Sequence, residues 1–145
     1  MPTTWVMIAD QSRARIFEMT ESTGAMTEKE TMVNPQGRLK DKDLGSDRPG
    51  RAFDTMGAGR HAMGKHHTPK EQSVIRFAHL VAEYLDTELH KASFERLVIS
   101  APPHFMGLLK QELSESTLNS ITLALDKGLA NLDAGEIRTH LPERL

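Results

Sequence analysis

Apolar positions along the chain fall into two blocks, residues 4–33 and 74–141, with a long stretch between them that has no apolar periodicity. Thr4-Trp5-Val6-Met7-Ile8-Ala9 is an almost continuous apolar run with β-branched and aromatic residues, the pattern of a central strand buried on both faces. Asp10-Gln11-Ser12 predicts a turn, because short polar side chains bond the adjacent backbone and break a ladder. Residues 14–19 follow as a second strand, hairpin-paired with the first. Residues 21–24 turn again. Residues 27–33 read as a polar third strand whose charges suit an exposed edge, and Asn34-Pro35 ends it.

In the second block, Thr68 is a good N-cap, Pro69 suits the first helical position, and Glu71 completes a capping box. Val74, Phe77, Ala78, Val81, Leu85 and Leu89 then recur at three- and four-residue spacing, one face of a helix running to about residue 92. Arg76, His79, Glu83, Asp86 and His90 fall largely on the other face. Residues 97–100 form a short buried strand that runs into Ala101-Pro102-Pro103, and the prolines start a helix over 105–113 by fixing φ. Residues 121–125 predict another strand. Asp133-Ala134-Gly135-Glu136 repeats the capping-box pattern and opens a short helix to about residue 141. The order implies an α/β fold: a mixed sheet of about five strands with about three helices packed on it, in a single domain spanning 1–145.

Charge changes the picture in one place. Within residues 36–70 lie eight of the 18 Lys and Arg residues and six of the ten glycines, against four aspartates, so the segment carries net +4 while the whole chain carries −2. A loop at about 34–69 is far longer than the usual connection of roughly 4–6 residues, and such loops are functional or flexible. The expectation is a compact scaffold presenting one flexible basic loop. Cysteine is absent, which excludes disulfides and thiolate metal sites and fits a reducing compartment. The first ten residues lack the pattern of a signal peptide, and no apolar run reaches the roughly 18 residues that span a bilayer. A cytoplasmic location without a membrane partner is the expectation.

Several motifs in the loop resemble known chemistry but lack its context. Gly59-Arg60-His61-Ala62-Met63-Gly64-Lys65 fits G-x-x-x-x-G-K, yet His66 stands where a phosphate loop needs Ser or Thr for magnesium, and no apolar strand precedes it. A dinucleotide fingerprint at Gly57–Ala62 fails for the same missing strand. His61, His66 and His67 have only Asp54 nearby to complete a metal site, so no metal and no cofactor is expected. Arg48, Arg51, Arg60 and Lys65 are the candidate phosphate contacts, with glycines letting the backbone come close. Without interleaved aromatic residues the loop offers no stacking platform for bases, so backbone binding is the better version. The bland alternative is a solvated insertion. Asp10, Arg13 and Arg15 lie at the end of the central strand, a favoured ligand position in α/β sheets, although turn formation already accounts for Asp10. His104, just past another strand end, is a further candidate.

Trp5-Val6-Met7-Ile8-Ala9-Asp10-Gln11-Ser12-Arg13-Ala14-Arg15-Ile16-Phe17 resembles the opening signature of bacterial host attachment proteins, named as required for attachment to host cells. Ser100-Ala101-Pro102-Pro103-His104-Phe105-Met106-Gly107-Leu108-Leu109 and Asp126-Lys127-Gly128-Leu129 resemble later motifs of that family, so the resemblance covers nearly the whole chain. The family is similar in fold to the middle domain of archaeal and eukaryotic peptide-chain release factors, where a Gly-Gly-Gln loop leads into a long helix and promotes peptidyl-tRNA ester hydrolysis. Gln72-Ser73-Val74-Ile75-Arg76-Phe77-Ala78 is similar to the run that includes that glutamine, but Lys70 and Glu71 replace the two glycines. A glutamate beside the glutamine would oppose a developing oxyanion. The resemblance therefore implies the fold, with Gln72 as a catalytic candidate and Arg76 as a nucleic-acid contact at the loop–helix junction. The functional expectation is a binding module for RNA or the ribosome, including tRNA, whose role in attachment is indirect. The alternatives are a peptidyl-tRNA ester hydrolase using Gln72, and an adaptor that binds a protein partner in attachment.

Overall fold

The computed structural model describes residues 2–38 and 68–145. The elements in chain order are β1 (Thr4–Ala9), β2 (Arg13–Met19), β3 (Thr27–Val33), a 3₁₀ turn (Pro35–Arg38), α1 (Pro69–His90), β4 (Arg96–Ser100), α2 (Pro103–Glu112), α3 (Glu115–Ser120), β5 (Ile121–Leu125) and α4 (Ala134–Thr139). The five strands form one sheet in the order β3-β2-β1-β4-β5. β1 is antiparallel to β2, β2 is antiparallel to β3, and β1, β4 and β5 are mutually parallel. The expected α/β class and mixed five-stranded sheet are observed, with a fourth helix, α3, added between α2 and β5.

β1 sits at the centre because it has something to bury on both sides. All six of its residues are buried, and the two-residue period of a strand divides them between faces. Trp5, Met7 and Ala9 join the layer beneath α1 and α2, with Ile16, Phe77, Val81, Leu85, Leu97, Phe105 and Leu109. Val6 and Ile8 meet Phe17, Met19, Val98, Leu129, Ile137 and Leu141, supplied largely by the chain after β5. Full burial of one such side chain contributes about 1.5–3 kcal/mol. Aromatic rings fix the first layer: Trp5 stacks on Phe94 with centroids 4.8 Å apart, and Phe77 meets Phe105 at 6.0 Å.

α1 starts where its residues direct. Thr68 Oγ1 accepts the Glu71 N–H at 3.1 Å, and the Glu71 carboxylate accepts the Thr68 N–H at 2.9 Å. That reciprocal pair satisfies two backbone donors that no helical carbonyl reaches. The helix ends at His90 and is capped by Lys91, followed by Ala92 at φ 62°, a left-handed conformation that usually falls to glycine. Two register shifts interrupt the sheet, one between Ile16 and Phe17 opposite β3 and one between Leu97 and Val98 opposite β5. Among the described residues, no helix is long and apolar enough to cross a membrane.

Candidate functional site

The parallel strands β1, β4 and β5 finish along one edge of the sheet, at Ala9, Ser100 and Leu125. β3 runs in the same direction as β1 and finishes there too. α1 returns the chain from this edge to the opposite one, where the Glu95 and Arg96 N–H groups donate to the Thr3 carbonyl before β4 begins. The exit of β3, the start of α1, the β1–β2 turn and the start of α2 therefore share the carboxyl edge, a common location for ligands in open α/β sheets.

The polar side chains at this edge act first as architecture. Asp10 Oδ1 accepts the N–H groups of Ser12 and Arg13 at 2.7 and 2.9 Å, so this candidate forms the hairpin turn. That turn in turn grips the end of β3. The buried Asn34 donates its amide to the Gln11 carbonyl at 3.0 Å and its backbone N–H to the Ser12 carbonyl at 2.7 Å. Gln11 Nε2 donates to the Gly37 carbonyl at 2.9 Å. The Asn34 amide also approaches the Ser73 carbonyl in the first turns of α1, at 3.5 Å. The two ends of the basic stretch are thus clamped against one another and against the β1–β2 turn.

Gln72 and Arg76 project from this junction. Both are exposed and lie four residues apart, on one face of α1. Beside them is a small cavity of about 250 Å³ whose walls include Val33, Gln36, Arg76, Phe77 and Leu80. Val33 and Leu80 are 63% and 52% exposed, an unusual degree for large apolar side chains. His79, which also lines the cavity, bonds Glu112 through Nδ1 at 2.8 Å and has Glu83 at 3.9 Å from Nε2. The Glu112 hydrogen bond raises the pKa of His79 above its ordinary value, and Glu83 adds to the effect. Arg13 is half-buried at the first position of β2, and His104 is exposed in the first turn of α2.

A family model described as "Protein required for attachment to host cells" matches residues 5–141, from β1 to just past α4. The chain belongs to that family. A comparison with curated proteins finds no match. The match takes in both ends of the clamp, the carboxyl edge and the two apolar layers. It also spans Arg48, Arg51, Arg60 and Lys65, which together with His61, His66, His67 and the G-x-x-x-x-G-K run lie outside the described residues.

Arg15 has a different occupation from the other candidates. Its side chain is only 14% exposed and forms a two-pronged pair with Glu28 at 3.2 Å. It also donates to the carbonyls of Ala130 and Leu132, and its guanidinium lies 5.1 Å from the Phe17 ring centroid. Arg15 ties the sheet to the segment after β5 and holds the Glu28 carboxyl below its usual range. Sequence reasoning also missed Arg138, which donates to the carbonyls of Gly24, Pro142 and Glu143 at 3.4, 2.6 and 2.7 Å. It lines a cavity of about 630 Å³ between the β2–β3 turn and α4. Backbone carbonyls leave no residue signature, so nothing in the sequence announced these main-chain partners. Among the described residues, no group of three His, Asp or Glu side chains is placed to hold a metal.

Proposed function

We propose that this host attachment protein is a binding module for RNA of the translation apparatus, tRNA or ribosome, and that its part in attachment to host cells is indirect. The observation that carries the reading is the clamp. Asn34, Gln11 and Gly37 hold the exit of β3 beside the start of α1, so the two ends of the stretch 36–70, net +4, meet at the carboxyl edge. Arg48, Arg51, Arg60 and Lys65 would neutralise phosphates, with Arg76 adding a fixed cation and Gln72 a polar contact at the point of re-entry. The likeness of residues 72–78 to the glutamine-bearing run of release-factor middle domains supports the same class of target. Location in the cytoplasm belongs to this proposal.

The rival hydrolytic reading places ester cleavage at Gln72. Local geometry favours binding over cleavage. The Glu71 carboxylate is engaged at the Thr68 N–H, and the Gln72 N–H donates to the Thr68 carbonyl at 2.9 Å within regular helix. A backbone already committed to helical bonding is a poor substitute for a glycine pair ahead of a catalytic glutamine.

The test is binding of the purified protein to tRNA and to ribosomes across a salt series, beside a variant with Arg48, Arg51, Arg60 and Lys65 changed to Ala. Neutralising about four phosphates gives a slope of log K against log salt near −3 for single strands, and the variant flattens it. No binding at low salt overturns the proposal. Turnover of peptidyl-tRNA that Gln72→Ala abolishes would select the hydrolase instead. A protein partner retained after nuclease treatment would select the adaptor.

A further inference from the structure

The chain after β5 encloses space as well as core. The cavity of about 630 Å³ between the β2–β3 turn and α4 lies away from Gln72 and Arg76, so it stands independently of the RNA reading. Its size falls within the roughly 300–1,000 Å³ of small-molecule sites. Three walls meet there, and hydrogen bonds fasten each to the others. α4 is tied to the turn by Arg138 Nε, 3.4 Å from the Gly24 carbonyl oxygen. The residues beyond α4 are tied to it by the other two arms of Arg138, on the Pro142 and Glu143 carbonyls. They are tied to the turn by the Leu145 N–H on the Ser22 carbonyl and by Arg144 on the Ser22 hydroxyl, both at 3.0 Å. This bracing forms the cavity before any ligand arrives, which spares a ligand the cost of ordering it.

The chemistry of the walls sets the ligand. Ala25, Met26, Ala134 and Leu141 make most of the lining apolar. Its cation is Arg138, whose three bonded partners are neutral carbonyls. Among the described residues Arg138 has no ion pair, and the exposed Glu143 on the rim does not pair with it. A guanidinium carries five N–H groups, so two remain for a ligand. We propose that the cavity binds a small monocarboxylate with an apolar body, the size of a medium-chain fatty acid. The carboxylate takes the two remaining N–H groups of Arg138, and the body lies along Met26 and Leu141. Charge-assisted hydrogen bonds of this kind are roughly twice as strong as neutral ones. A phosphate fits poorly, because its second negative charge would meet one arginine and the Glu143 carboxylate. A wholly apolar ligand would desolvate the arginine without offering a counter-charge.

Octanoate is the probe, added to the full chain and followed by NMR of the backbone amides and the arginine Nε–H. Saturable shifts are expected at Gly24, Ala25, Met26, Gly135 and the Arg138 Nε–H. 1-Octanol, which lacks the charge, and acetate, which lacks the apolar body, each bind about tenfold or more weakly. Gly135→Leu fills the cavity and leaves the Arg138 bonds in place. A Cβ at Gly135 meets only Asp133 Oδ1, at 3.4 Å, and leucine is the better helix former, so the variant keeps at least the melting temperature of the parent. It loses octanoate affinity by about tenfold or more. Arg138→Gln lowers the affinity for octanoate and leaves that for octanol unchanged, a contrast that loosening of the fold alone does not produce. Absence of shifts at these residues overturns the proposal. So does octanol binding as tightly as octanoate, or octanoate binding that Gly135→Leu leaves intact.

Discussion

A Cβ added to Gly37 would stand 2.2 Å from the Gln11 carbonyl oxygen and 2.9 Å from the Ser12 Cα, distances that only backbone movement relieves. Gly37→Ala is therefore expected to cost about 2–3 kcal/mol, measured by urea denaturation. It should also displace Asn34 from the β1–β2 turn, seen as loss of amide protection at Asn34 and Gly37. His79 gives a second residue-level prediction, in pH. Glu112 and then Glu83 favour its charged form, so its folded pKa lies above the ordinary 6.5. The stabilisation is present in full below that ordinary value and is lost as pH rises through the elevated folded one. An NMR titration of the His79 imidazole should show the elevation, and Glu112→Gln should return most of it. Exposure keeps the effect on global stability small.

Among the elements, α3 depends on a partner far away in sequence. Asp86 Oδ1 on α1 accepts the Ser114 N–H at 3.2 Å, the Ser114 hydroxyl at 2.9 Å and the Thr117 hydroxyl at 2.6 Å, and Thr117 is fully buried. Ser114 meanwhile caps α3 by accepting the Thr117 N–H. Asp86→Ala removes the acceptor these donors share and leaves the Ser114 and Thr117 hydroxyls only each other, at about 2 kcal/mol. Amide exchange should rise first within Glu115–Ser120, which distinguishes loss of this dock from a general softening. The same dependence explains why the sequence did not reveal α3: Glu115-Ser-Thr-Leu-Asn-Ser has no apolar stripe and is held by a carboxylate on another helix. β1 and α1 were legible because their causes are local, a continuous apolar run in one and a reciprocal cap with a periodic stripe in the other. Arg15 read as a ligand candidate because its neighbours in sequence suggested an open strand end. Its actual partners include carbonyls 115 and 117 residues away. Strand order and the two register shifts were equally out of reach, being properties of pairing between distant segments.

At the scale of the whole molecule, the sheet has a polarity. The clamp, Gln72, Arg76 and the first turn of α2 lie at its carboxyl edge. The larger cavity and the carbonyls bound by Arg138 lie toward the β2–β3 turn at the other end.

The clamp also decides how the body comes apart. Asn34 touches both the β1–β2 turn and the Ser73 carbonyl in the first turns of α1, so one side chain seats the exit of β3 and the head of the helix together. Two segments 39 residues apart in sequence therefore loosen as one unit. A fault at the hairpin turn is felt where α1 begins.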